Sequence, residues 1–402
     1  MKDLKGWKMQ SKILSSLGFL AIGTLIFASD DAILSQDRAS IYELNEKKVI
    51  EDTSKISKDW INPITYTYTR MDYKDSKNED RTSAVSINQP IFKSGGIYKA
   101  IKYASSLKSA NLTDVEIARK SAIKEATITL FEIHKMDSQI KKQEFLVKNG
   151  ELDVQRKKEQ VLSGVLDASY LDNALLELNT KKLALADLKY NKVALILKFE
   201  TLSDTSYMEL ELPKLELLAE EQFMQDNKMI AKQEYTANKD YHYSGMIIAK
   251  YLPTINALYT YTKYHTNHQS MTNPLLAGTD TQRYGMNVVI PLDIKAFNDT
   301  QSAKIEYLKS KTQANIVKLE EKNFYKTKIA SINRVKEKLL IAQEELDTYA
   351  SLVQQMEELS LAGLKTDLDL QTMQNSKAVK EQDINIFEYE LQMELLELYA
   401  RI

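Results

Sequence analysis

Cysteine is absent from all 402 residues. Disulfides, thiolate metal sites, a cysteine nucleophile and an acylated N-terminal cysteine are therefore excluded, although an oxidising compartment is not. Glycine (11) and proline (6) are scarce, which argues against a turn-rich enzyme scaffold and, with Leu, Lys, Ala, Glu and Ile dominating, for long helices. A formal charge of −2 gives no footprint for nucleic acid. His134, His242, His265 and His268 are the only histidines; His265 and His268 share a loop, but with no further ligand at metal spacing they read as solvated loop residues. Gly95-Gly96 lacks the Gly-Lys-Ser/Thr ending of a phosphate loop. With no nucleophile elbow and no paired catalytic acids, neither enzymatic activity nor a cofactor is expected.

What is present begins with a targeting signal. Lys2, Lys5, Lys8 and Lys12 precede an apolar stretch from Ile13 to Ala28, with Ile26 and Ala28 at the −3 and −1 positions of a cleavage site. Residues 1–28 are expected to be a secretory signal peptide; the alternative, an uncleaved inner-membrane anchor, is disfavoured by Ser15, Ser16, Gly18 and Gly23 within a short run. No later segment is apolar enough for a transmembrane helix. Any membrane part of the mature chain must then be built from strands.

No proline falls between Ile91 and Leu212, or after Pro291. The stretch from Ile97 to Leu162 would extend about 100 Å as one helix, at roughly 1.5 Å per residue. Such a helix must bury a seam, and Val335, Leu339, Ala342, Leu346, Tyr349, Val353 and Met356 repeat in steps of four and three, as in a left-handed coiled coil. Leu171, Leu175, Leu178, Leu185 and Leu188 are spaced similarly. Ser163-Gly164 and Ala362-Gly363 interrupt the helical runs and are expected to form the tips of helical hairpins, glycine supplying the left-handed conformation.

Two pairs of short segments alternate instead with period two. Tyr66 and Tyr68 stand between Thr65, Thr67 and Thr69, and Val85, Ile87 and Gln89 follow after a polar loop; Tyr259 and Tyr261 alternate with Thr260 and Thr262, followed by Tyr284, Met286 and Val288. The pattern repeats within the chain: Pro90 and Pro291 are 201 residues apart, and Gly164 and Gly363 are 199 apart. Residues 29–202 and 203–402 are thus expected to be two structural repeats, each running short helix, strand pair, long helix, tip and returning helix. Four strands cannot close a barrel, because a sheet with two open edges is not tolerated in lipid. Three copies would supply enough strands, with Tyr66, Tyr68, Tyr259 and Tyr261 facing lipid and the threonines a wet lumen. A periplasmic β-sandwich explains the alternation but not strand pairs embedded in long helices.

The junction Val85-Ser86-Ile87-Asn88-Gln89-Pro90-Ile91-Phe92-Lys93-Ser94-Gly95-Gly96, the Leu252-Pro253-Thr254-Ile255 entry to the third strand, and the two glycine tips followed by Leu171-Asp172-Asn173-Ala174 and Leu368-Asp369-Leu370 resemble the TolC-like outer-membrane efflux protein family. The resemblance implies a mainly α fold with a small β part: long coiled-coil hairpins and four membrane strands per protomer, in a homotrimer with a shared barrel and helical tunnel. It implies a passive exit duct in the outer membrane, extending into the periplasm and serving a tripartite efflux or type I secretion system. Its partners would be a periplasmic adaptor and an inner-membrane transporter. The tips at Ser163, Gly164, Ala362 and Gly363 would contact the adaptor. Asp369 would contribute to a ring of aspartates at the periplasmic gate, with Asp367 as a substitute for a second family aspartate replaced by Thr372, and Lys365 and Thr366 as partners; the bland alternative is a solvated Asp369. One departure is the short stretch before the first strand, which suggests a curtailed or missing first helix. The competing function is a soluble periplasmic coiled-coil adaptor or scaffold.

Overall fold

A computed structural model describes residues 33–72, 74, 79–265 and 280–402. The expected signal segment, residues 1–28, and His268 lie outside the described residues. The elements are α1 (Gln36–Lys58), β1 (Thr65–Asp72), β2 (Glu79–Phe92), α2 (Gly96–Leu162), α3 (Ala168–Glu200), α4 (Glu220–Asp226), α5 (Lys228–Lys250), β3 (Thr254–Tyr264), β4 (Thr281–Val289), α6 (Ala296–Leu361) and α7 (Asp367–Tyr399). Lengths pair off along the chain: α1 and α5 have 23 residues each, α2 and α6 have 67 and 66, and α3 and α7 have 33 each. Among the described residues no helix is long and apolar enough to cross a membrane.

The first helix is not curtailed: α1 is as long as α5. The surplus before the third strand is instead a segment of turns and irregular chain from 203 to 219 followed by the short α4. Sequence length alone hid this, since a polar, Leu-bearing stretch such as 209–221 carries no clear period.

The helices form a single layer. On the sheet side, α2 lies between α1 and α5, and α5 between α2 and α6; on the tip side, α2 lies between α3 and α7, and α7 between α2 and α6. Burial along α6 follows the heptad seam, with Val335 and Ala342 buried and Leu339, Leu346, Tyr349, Val353 and Met356 partly so. On α3 the inward line is Leu171, Ala174, Leu178, Lys181, Leu185 and Leu188, whereas Leu175 is exposed. Ala174 therefore takes the place the sequence pattern gave to Leu175. A second line on α3, Leu176, Leu183, Tyr190 and Leu197, repeats every seven residues and remains 57–72% exposed.

Two hydrophobic clusters brace the middle of the layer. One gathers Leu34, Ala126, Leu130, Ile133, Phe199 and Leu202; the other gathers Leu215, Leu218, Phe223, Tyr325, Ile332, Leu395, Leu396 and Leu398. The second holds a buried polar knot. Glu321, 5% exposed, accepts hydrogen bonds from the guanidinium of Arg401 and from Nδ2 of Asn227 at 2.9 Å, while the Asn227 side chain caps α5. Lys228 N donates to Arg401 O at 2.8 Å. The chain's C-terminal end is thereby fastened to the start of α5.

Candidate functional site: the sheet face and the hairpin tips

The four strands form one antiparallel sheet in the order β1-β2-β3-β4, so both β1 and β4 are open edges. Cross-strand partners share a face, and the register sets Tyr66, Val85, Tyr261 and Gln282 in one row and Ile87, Tyr259 and Tyr284 in the next. All four tyrosines singled out from sequence therefore lie on one face. They are joined there by Tyr284, 87% exposed, and by Met286 and Val288. The opposite face carries Thr65, Thr67 and Thr69 on β1, Ala84 and Ser86 on β2, Thr260 and Thr262 on β3, and Thr281, Arg283 and Asn287 on β4. One face is aromatic and apolar toward the helices and turns polar at Ser83, Lys263, Arg70 and Arg81 toward the loops, and the other is hydroxyl-rich.

Three of the four tyrosine hydroxyls have a hydrogen-bond partner. Tyr66 donates to Ser83 Oγ at 3.1 Å and Tyr261 to Asp280 Oδ2 at 2.6 Å, while Gln282 Nε2 donates to the Tyr259 oxygen at 3.5 Å. These partners lie toward the ends of the strands away from the helices, where a ring with one polar end suits an apolar-to-aqueous boundary. At the other end the chain turns from β2 into α2 through Ser94 and Gly95, with φ of 46° and 80°. Ser94 Oγ donates to Pro253 O at 2.7 Å, which ties the β2–α2 junction to the α5–β3 junction.

The two tips are built alike. Gly164 and Gly363 both have φ of 72° and no atom within 4 Å of where a Cβ would stand. At the first, Gly164 N donates to Val161 O at 3.0 Å and Val165 N to Gln160 O at 2.9 Å; at the second, Gly363 N donates to Ser360 O at 3.0 Å and Leu364 N to Leu359 O at 2.9 Å. Each is a helix C-terminus closed by glycine in the left-handed region. Ser163 and Ala362 are the cap residues. Leu162 and Val165 at one tip, and Leu361 and Leu364 at the other, are all at least 70% exposed.

Just past the second tip, Thr366 and Asp369 form a capping box: Thr366 Oγ1 lies 2.9 Å from Asp369 Oδ2, and Asp369 N donates to Thr366 Oγ1 at 3.3 Å. Asp369 Oδ1 meets Arg156 Nη2 of α2 at 3.0 Å. The hydrogen bonds from Thr366, and then the charges of Arg156 and Lys365, hold the Asp369 carboxyl below its usual range. Arg156 gave no sequence signal, since it belongs to an ordinary charged helix face 213 residues upstream. Lys365 stands nearby as a charge, but the ion-pair partner of Asp369 is Arg156. Asp367 accepts from Ser360 Oγ at 3.2 Å, closing the loop across its base.

The protomer is a layer of long helices with two open lateral edges, continued by an open sheet with one aromatic and one hydroxyl-rich face. Solved channel structures share this fold. The chain is similar to CusC, described for conformational changes accompanying folding and transmembrane channel formation, with a TM-score of 0.71 at 12% identity over 93% of this chain and 90% of that one. It is also similar to the outer membrane protein VceC of Vibrio cholerae, with a TM-score of 0.71 at 12% identity over 91% and 94% of the two chains. The CmeC outer membrane channel of Campylobacter jejuni matches with a TM-score of 0.67 at 13% identity over 92% and 84%. No family model and no curated protein matches the sequence. The fold is that of the TolC-like outer-membrane efflux channels.

Proposed function

We propose that this protein is one protomer of a homotrimeric outer-membrane exit duct, a passive conduit without catalytic chemistry in a tripartite efflux or type I secretion system. The carrying observation is that both lateral edges of the protomer are unfinished. On one side stand β1, α1 and the exposed heptad line of α3; on the other stand β4 and the free face of α6 with Ile305, Leu308, Ile316 and Leu319. An isolated protomer leaves apolar heptad positions in water and two strand edges unpaired, both of which ring closure removes. Three copies of a four-stranded sheet give twelve strands, above the minimum of about eight for a bacterial barrel. The apolar face with Tyr66, Tyr68, Tyr259 and Tyr261 then meets lipid, and the hydroxyl face lines the lumen.

In this reading the tips lie in the periplasm, where their exposed apolar pairs are the contact for an adaptor, and substrates arrive from an inner-membrane transporter through it. Both oxygens of Asp369 are engaged within the protomer, which supports a latch between α2 and α7 more than a free ring of carboxylates. A soluble coiled-coil adaptor accounts for the hairpins but not for a sheet with opposed apolar and hydroxyl faces. The test is to replace Leu176 and Leu183 together by aspartate and measure mass in detergent. Wild type should run as a trimer and the double variant as a folded monomer; a wild-type monomer, or a trimer indifferent to both charges, refutes the proposal.

A further inference from the structure

Between the sheet and the middle of the layer, α2 and α5 enclose a groove of about 350 Å³ that opens immediately beside the strands. Its walls are largely apolar, formed by Tyr98 and Tyr241 with Ile248 and Leu252, and Lys99 lines it with Ser94. Close helix contact shapes it. A Cβ on Gly96 would stand 2.9 Å from the Ala249 Cβ, and one on Gly245 would stand 2.9 Å from Lys99 Cδ, so the Lys99 stem lies directly over Gly245.

The charge around this groove is uncompensated. About half of the lysines in the helices meet a carboxylate, for example Lys142 with Asp383, Lys192 with Asp137 and Lys328 with Glu394. Among the described residues no carboxylate lies within ion-pair distance of Lys93, Lys99 or Lys102. The Lys99 ammonium sits 4.4 Å from the Tyr241 ring centroid and that of Lys102 sits 5.8 Å from the Tyr98 ring. Sequence enforces this, with no Asp or Glu between Asp80 and Asp114 or between Asp240 and Asp280. Of the acids on α5 and α6 beside the groove, Asp240 contacts Lys239 and Ser310, and Asp299 contacts Tyr251 and Lys250; those at the near end of α1, Glu51, Asp52 and Asp59, form no ion pair with these lysines. The pKa of His242 is lowered mainly by burial, with Lys99 and Lys102 adding to the effect.

We infer that this groove binds the headgroup of an anionic phospholipid of the periplasmic leaflet, with the phosphate at Lys99 and Lys102 and the upper acyl carbons against Tyr98, Tyr241, Ile248 and Leu252. The inference rests on the duct reading, which sets the apolar sheet face in the bilayer directly above. Lysine beside tyrosine at such a boundary is the chemistry of an interfacial anchor. Because α2 and α5 lie inside the layer, flanked by α1 and α6, neighbouring protomers meeting the lateral edges leave the groove open. An apolar lining also suits lipid better than an aqueous lumen.

The test uses the full-length protein in nanodiscs of phosphatidylcholine alone or mixed with phosphatidylglycerol, followed by native mass spectrometry of retained lipid. Wild type should retain phosphatidylglycerol selectively. Lys99→Gln or Lys102→Gln should reduce that selectivity by about fivefold each, and the pair by about thirtyfold, with Lys→Arg variants restoring it. Lys228→Gln, which removes a carboxylate-paired lysine elsewhere, should leave it unchanged. Equal retention of both lipids, or displacement of phosphatidylglycerol by inorganic phosphate, overturns the inference. So does a changed ion selectivity of the channel in the double variant with unchanged lipid retention, which would place the lysines on the lumen. Failure to enter either nanodisc would instead refute the duct reading.

Discussion

Arg156→Gln should loosen the second tip without unfolding the helices around it. The Arg156–Asp369 pair is about one-third exposed on each side, at 31% and 30%, so it contributes about 0.2–1 kcal/mol per protomer. If three protomers open together, the shift triples to about 0.6–3 kcal/mol, or roughly 3- to 160-fold in the ratio of open to closed mouths. Asp369→Asn should match it, because asparagine retains an acceptor for the Thr366 backbone. Asp369→Ala should exceed both, since losing half of the capping box costs about 1 kcal/mol more per protomer. Lys365→Ala should change little, as its ammonium is not the partner. Resting conductance in planar bilayers reads the opening, and amide exchange at Leu370 and Gln371 reads the first turn of α7 independently. The Arg156→Gln/Asp369→Asn pair should be no more open than either single variant. Strict additivity of the two, or an unchanged conductance for Arg156→Gln, refutes the latch.

Glu321→Ala leaves the buried Asn227 amide without its acceptor and unpairs the partly exposed Arg401 guanidinium; a loss of about 1–3 kcal/mol is expected, measured by denaturant unfolding in detergent, and no measurable loss would show that the knot is wet. Gly164→Ala and Gly363→Ala meet no neighbouring atom, so each should cost only the left-handed backbone penalty of about 1–2 kcal/mol, with asparagine milder than alanine; equal stability of all three would contradict the φ assigned to the tips. The lowered pKa of Asp369 gives a sign for acid sensitivity. Its contribution is fully present above the usual carboxylate range and is lost as pH falls through the depressed value, so conductance through the mouth should stay constant across neutral and mildly acidic pH and rise only in strong acid.

Much of this architecture was legible because each element repeats one period many times. The α6 seam and the Tyr/Thr alternation survive any single exception, and glycine marks both tips by a conformation other residues adopt only at a cost. Leu175 and Leu176 show where periodicity blurs. α3 carries one mainly apolar line turned inward at a 3.5-residue spacing and a second, left outward, that repeats every seven residues, and adjacent leucines leave it undecided which line a position joins. Arg156 was invisible for another reason: its partner lies 213 residues away, brought near only by the packing of α2 on α7. The full length of α1 is hidden in the sequence because the irregular segment 203–219 has no counterpart before α1.

The central claim is that three protomers close one duct, and the absence of native cysteine makes it directly measurable. Single cysteines placed at Thr69 on edge strand β1 and at Arg283 on edge strand β4, combined in one chain and oxidised in the membrane, should yield covalent trimers that still conduct. Trimers that fail to form while the wild-type protein conducts, or cross-links confined within one protomer, would contradict ring closure through these edges.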